Sequence, residues 1–288
     1  MKESASTTST EQATILQTIR DQYLGGILRK YRTPQAFDPA AVESWRIGSG
    51  KRGVLLVHGF AGTPKELRDL GEFLAANGWR CYAPTLAGHA TTTEEMAKTG
   101  WRDWVQTASE GVDELLKECD RVAVVGQSMG GTIALHLAAT DPRVSAVTTL
   151  AAPLWLGGPW PIVLPWARFV YPWHSVVDRS SALTGDELPS YVWRSNRAVI
   201  QLFRFMRKVR HELDHIQSPV LVIHGGLDRV VSPKNGRDIM RGLRRSLAVK
   251  WIVFPNSGHA LTSQIDRDSV NQRVLAWLDQ YCPVDQRI

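Results

Sequence analysis

The sequence predicts an α/β fold, with a mostly parallel central sheet, helices on both faces and one inserted cap. Three observations predict it. Short apolar runs alternate with helical patterns along most of the chain, the rhythm of a parallel sheet with crossover helices. Several runs, such as Gly53–Val57 (GVLLV), are apolar at every position, as strands buried on both faces must be. The rhythm stops between about Pro153 and Ile216 and then resumes.

The elements follow in order. Residues 1–12 are rich in Ser and Thr, contain no apolar run and so carry no secretory signal. Thr14 to Leu28 has the pattern of a helix, and Tyr31 to Trp45 reads as loop. After the strand Gly53–Val57, Thr63 can cap a helix, Pro64 suits its first position, and Glu66 completes a capping box. Leu67, Leu70, Phe73 and Leu74 then line one helical face, and Gly78 stops it. Arg80–Ala83 is a second strand. Trp104, Val105, Ala108, Val112 and Leu115 mark a helix over Trp101 to Leu116. Arg121–Val125, Val144–Leu150, Val220–Ile223 and Val249–Phe254 read as further strands, with helices over Met129–Ala139, Asn235–Leu243 and Asp266–Tyr281. Within the interruption, Val199, Leu202, Phe203, Met206, Val209 and Leu213 share one helical face. The expected organisation is an N-terminal extension over 1–45, a core over 46–152 and 217–288, and a cap over 153–216.

Composition narrows the classes of function. The 288 residues are 43% hydrophobic and 22% charged, ordinary for a folded globular chain. A net charge of +6 describes a moderately basic surface and names no partner. Arg204, Arg207, Lys208 and Arg210 lie opposite the apolar face of their helix. Without an aromatic platform they read as a solvated face, and no nucleic-acid partner is expected. Cys81, Cys119 and Cys282 suit neither a disulfide framework nor a zinc site. A reducing, cytoplasmic setting is expected. The apolar stretch Pro153 to Val170 is too short and too broken by Pro and Gly to span a bilayer.

The strongest chemical signal is Gly126-Gln127-Ser128-Met129-Gly130-Gly131 between a strand and a helix. Such a turn lifts the Ser128 hydroxyl above the sheet, and small neighbours let the chains pass. A serine needs a base, and a base needs a carboxylate to orient it. His259, just after the last strand, and Asp228, just after Val220–Ile223, stand at the same sheet edge. The chain order Ser128, Asp228, His259 is the one this pattern requires. An oxyanion needs two backbone donors, for which Met129 N–H and Phe60 N–H are the candidates. Other histidines fit the role less well. His89 reads as a loop-stabilising residue, His136 as packed in a helix, and His224 as bonded locally at a strand end. Asp214 and Asp238 lack a strand-end setting.

Taken together, HGFAGTPKELRDLGEFLAANGWRCYAPTLAGH, GQSMGG, PVLVIHGGLDRVV and SGHALT resemble bacterial carboxylesterases and monoacylglycerol lipases of the α/β-hydrolase superfamily. The resemblance runs from about Gly53 to Leu278 and is weak through the insertion. It implies a Ser128–His259–Asp228 triad, Phe60 and Met129 as oxyanion donors, a small-molecule ester with a short to medium aliphatic acyl chain, and no cofactor. A haloalkane dehalogenase would carry Asp at the elbow. Trp155, Leu156, Trp160, Ile162, Val163, Leu164, Trp166, Phe169, Val170 and Trp173 have two readings. They pack a lid onto the sheet, or they form an acyl tunnel with a face that touches lipid transiently. Rival readings are a monoacylglycerol lipase, a carbon–carbon bond hydrolase, an acyltransferase and a small-molecule receptor on a hydrolase scaffold. Oligomeric state and the role of residues 1–45 are not legible.

Overall fold

The computed structural model describes residues 42–158, 163–165, 173–175 and 193–283. The helix expected over Thr14 to Leu28 lies outside them, as do Trp160, Ile162, Trp166, Phe169 and Val170 of the cap.

The first described strands are β1 (Trp45–Ile47), β2 (Arg52–Val57) and β3 (Trp79–Ala83). Between β2 and β3 lie a 3-10 turn, Pro64–Leu67, and helix α1 (Arg68–Ala76). Gly78, at φ 82°, ends that excursion as the sequence suggests. Helices α2 (Thr93–Lys98) and α3 (Trp101–Leu116) lead to β4 (Arg121–Gln127), α4 (Met129–Thr140) and β5 (Val144–Leu150). Next come a small antiparallel pair, β6 (Trp173–Ser175) with β7 (Trp193–Ser195), and helix α5 (Asn196–Arg210). Strand β8 (Val220–Gly225), helix α6 (Lys234–Gly242), strand β9 (Val249–Phe254) and helix α7 (Arg267–Tyr281) complete the order.

Seven strands form one sheet in the order β1-β3-β2-β4-β5-β8-β9. All neighbours are parallel except β1 on β3. The order also sets where the loops part. From β2 the chain moves outward to β3, then returns past β2 to build β4. The loops after β2 and β4 therefore diverge, leaving a crevice at the carboxyl edge between them. Side chains alternate along the strands, so each strand feeds two cores. Leu55, Val57, Val122, Val124, Val147 and Val222 pack with α3, α4 and α5. Val54, Leu56, Ala123, Val125, Leu221 and Ile223 pack with α1 and α7.

Some local expectations change. Trp45, read as the end of a loop, begins β1, an edge strand of three residues that is too short to show a period. The helix drawn over Val199–Leu213 runs Asn196–Arg210, and a 3-10 turn, Leu213–His215, follows it. Its Leu202, Phe205, Met206 and Val209 join the core beneath the sheet. The Thr63 side chain caps nothing, while the Glu66 carboxylate accepts from the Thr63 N–H, one half of the expected capping box, and also from the Gly59 N–H at 3.0 Å.

The chain leaving β5 is pinned just beyond the strand. Buried Asn235 accepts from Leu154 N–H at 2.8 Å and Trp155 N–H at 3.0 Å. The Trp155 indole donates to Asp238, and Arg210 donates to the Leu154 carbonyl.

Candidate active site

Ser128 joins β4 to α4 at φ 53° and ψ −119°, a left-handed state that L residues rarely adopt. Three stretches of backbone cross here at close range. A Cβ on Gly126 would lie 2.1 Å from the Gly130 carbonyl, and one on Gly130 would lie 1.9 Å from the Val57 carbonyl oxygen. Neither could be accommodated. The small residues flanking Ser128 are thus a steric requirement, and the strain at Ser128 is held from outside. Ser128 N–H donates to the Leu150 carbonyl at 2.7 Å, while Gly131 and Thr132 N–H donate to the Ser128 carbonyl and start α4. Met129 N–H precedes those bonds, in the helical turn whose donors have no partner within the helix. The positive end of α4 lies there too.

The carboxylate and the imidazole meet. His259 Nδ1–H donates to Asp228 Oδ2 at 2.8 Å, which leaves Nε2 as the basic nitrogen. Asp228 is held in turn, its Oδ1 accepting from Val230 and Val231 N–H at 2.8 Å each. Its side chain is fully buried, whereas that of His259 is 19% exposed. The imidazole can therefore be reached by solvent while its partner cannot. The elbow is tied to this pair directly, because the Gln127 amide donates to the His259 carbonyl at 2.7 Å.

Phe60 follows Gly59 in a tight turn. The Gly59 carbonyl accepts from Gly62 N–H at 3.2 Å and from His58 Nδ1–H at 2.9 Å. In a trans peptide the Phe60 N–H points opposite to that carbonyl, out of the turn. A Cβ on Gly59 would stand 3.4 Å from Ser128 Cβ, so this loop lies against that serine.

The remaining histidines have structural surroundings. His89 is buried beneath the loop, with Nδ1 at 3.2 Å from the Ala87 carbonyl and its ring edge-on to Phe60 and Trp104. His136 is packed as expected, and it also pairs with Glu212 at 2.7 Å, 76 positions away. His224 is buried beside the Asp228–His259 pair. Burial draws its pKa down to about 4, Asp228 opposing and His259 adding to the shift. The local bonding expected of it is not found, since neither ring nitrogen has a partner among the described residues. Asp238 binds the Trp155 indole and takes no part in the site. Asp214 lies in the 3-10 turn after α5, away from any strand end. Gln127 and Glu66 were not legible as site residues. Nothing in a local pattern reports a partner on a distant loop.

The family model described as serine aminopeptidase, S33, matches residues 48–266. The chain belongs to this family. As a serine hydrolase of the α/β type it is 31% identical, over 254 residues, to a thermostable monoacylglycerol lipase of Bacillus sp. strain H-257. That alignment spans 84% of this hydrolase and 96% of the relative. It is 28% identical to a carboxylesterase of Bacillus subtilis strain 168, over 80% of this chain and 94% of that one. Among solved structures, one described under the metagenome-derived lipolytic enzymes LipS and LipT is 26% identical, with a TM-score of 0.78 over 83% of the hydrolase and 98% of that chain. A monoacylglycerol lipase of Paleococcus ferrophilus, 17% identical with a TM-score of 0.70 over 83% of this chain and 99% of that one, shares the fold. Among the described residues, no helix is long and apolar enough to cross a membrane.

Proposed function

We propose that the hydrolase cleaves carboxylic esters with short to medium acyl chains, using Ser128 as nucleophile, His259 as base and Asp228 as its orienting carboxylate. The reading rests above all on the 2.8 Å contact between His259 and Asp228, on a loop bonded to the strained elbow through Gln127. His259 Nε2 takes the Ser128 proton as Oγ attacks the ester carbonyl. The Met129 and Phe60 N–H groups stabilise the oxyanion. His259 then protonates the leaving alcohol, and water returns the acyl-enzyme to its starting state by the same route.

The residues 153–216 are the proposed cap, with α5 as the leg that packs on the sheet. The apolar residues of its first half would take the acyl chain and touch lipid transiently. A reducing, cytoplasmic setting belongs to the same proposal and is supported by three free, buried cysteines. Monoacylglycerol cleavage is the second reading, and the 31% identical relative named for that activity favours it.

The test is a panel of aryl esters of increasing acyl length and of monoacylglycerols, given to the wild type and to Ser128→Ala. Turnover should rise from short to medium chains. Ser128→Ala should lose at least about 10⁴-fold. Wild-type turnover by that variant would refute the assignment, and a flat profile across acyl lengths would remove the acyl tunnel. A strong preference for monoacylglycerols over aryl esters selects the second reading.

A further inference from the structure

The loop that carries Phe60 is clamped by a group outside the Ser–His–Asp set. Gly59 is the residue on which the direction of Phe60 N–H turns, and as a glycine it has no side chain to fix either peptide plane beside it. Its carbonyl side is fixed by His58 and Gly62. Its N–H side is fixed by Glu66 Oε2 at 3.0 Å. The half-buried carboxylate fills the space under the turn, and a Cβ on Gly62 would stand 1.7 Å from Glu66 Oε1. The backbone of the same residue reaches the opposite wall of the crevice. Thr262, three positions beyond His259, donates its hydroxyl to the Glu66 carbonyl at 2.7 Å. One residue therefore links the loop offering the oxyanion donor to the loop offering the base.

We propose that Glu66 is a positioning residue for ester hydrolysis, holding Gly59 so that Phe60 N–H faces the oxyanion. The proposal rests on the function proposed above. Burial raises the Glu66 carboxyl above the ordinary carboxylate range, and the Gly59 N–H, His259, the Thr63 N–H and Arg194 of β7 hold it back, in that order.

Two variants test the clamp. Glu66→Gln keeps an acceptor for Gly59 N–H, whereas Glu66→Ala loses it. Loss of one oxyanion donor outright costs about 10²–10³ in kcat, and a misdirected donor should cost less, roughly 10- to 100-fold in Glu66→Ala with KM within about twofold. Glu66→Gln should recover kcat to within about threefold of wild type. A change confined to thermal stability, with both kcat values like the wild type, overturns the proposal. So does an equal kcat loss in the two variants. If Glu66→Ala does not fold, Glu66→Asp, whose shorter side chain withdraws the acceptor from Gly59 N–H, takes its place and should show the same kcat loss. Should wild-type turnover survive Ser128→Ala, the functional reading fails and not the clamp.

Discussion

At Ser128 the backbone holds a side chain where L residues are disfavoured, and the cost is of order 1–3 kcal/mol. The surrounding contacts keep it there, with Gly126 against Gly130, Gly130 against Val57, and a bond to Leu150. Those glycines and the strand–helix setting are written in one short stretch, so the elbow is legible. Asp228 and His259 are legible for a similar reason, since each follows an apolar run that ends at the same edge. Gln127, Glu66 and Glu212 are not, because their partners lie 132, 7 and 76 positions away and are chosen by packing. Asp228 offers the sharpest single-residue test. Asp228→Asn keeps the volume but reverses the hydrogen-bond pattern offered to His259 Nδ1. On the proposed mechanism kcat should fall by about 10⁴, with KM little changed in steady-state assays.

Whole elements were readable where burial is symmetric. The inner strands β2, β4 and β8 are covered on both faces and carry the apolar runs GVLLV, VAVV and VLVI, while buried β5 (VSAVTTL) mixes in Ser and Thr. The helices α3 and α7 show their periods because one face meets water. Legibility failed for β1, which is three residues long, and for α2, a short helix that starts where Thr92 accepts the Glu95 N–H at 3.1 Å. It also failed for the anchoring of the insertion. Asn235 serves two backbone N–H groups at once, and its removal leaves the buried Leu154 donor without an acceptor. Asn235→Ala should cost about 1–3 kcal/mol, a melting temperature lower by several degrees in a thermal scan. Turnover at low temperature should change less than stability, because α6 contributes nothing to the proposed chemistry.

At the scale of the molecule, burial lowers the pKa of three histidines among the described residues. Burial lowers His58 to about 3, with His89 adding to the shift and the Gly59 carbonyl opposing it. It lowers His89 to about 4 against the pull of two backbone groups, and His224 to about 4. In the unfolded chain each titrates near 6.5, so below that pH the unfolded state binds more protons. Their stabilising contribution is complete above about pH 6.5 and is lost as pH falls toward 4 and then 3. Each histidine costs roughly 1.4 kcal/mol per pH unit over its window. The melting temperature should therefore drop steeply between pH 6.5 and 5 in a buffer series. A midpoint that is level across that range would mean water reaches these rings.

Asp228 and His259 stand on the loops after β8 and β9, the last two described strands. A ribosome must deliver the chain through residue 259 before the proposed hydroxyl, imidazole and carboxylate can meet. Products of interrupted synthesis that end before β9 could display the elbow, yet they would be chemically silent toward esters. Activity would then report only on molecules extended past that strand.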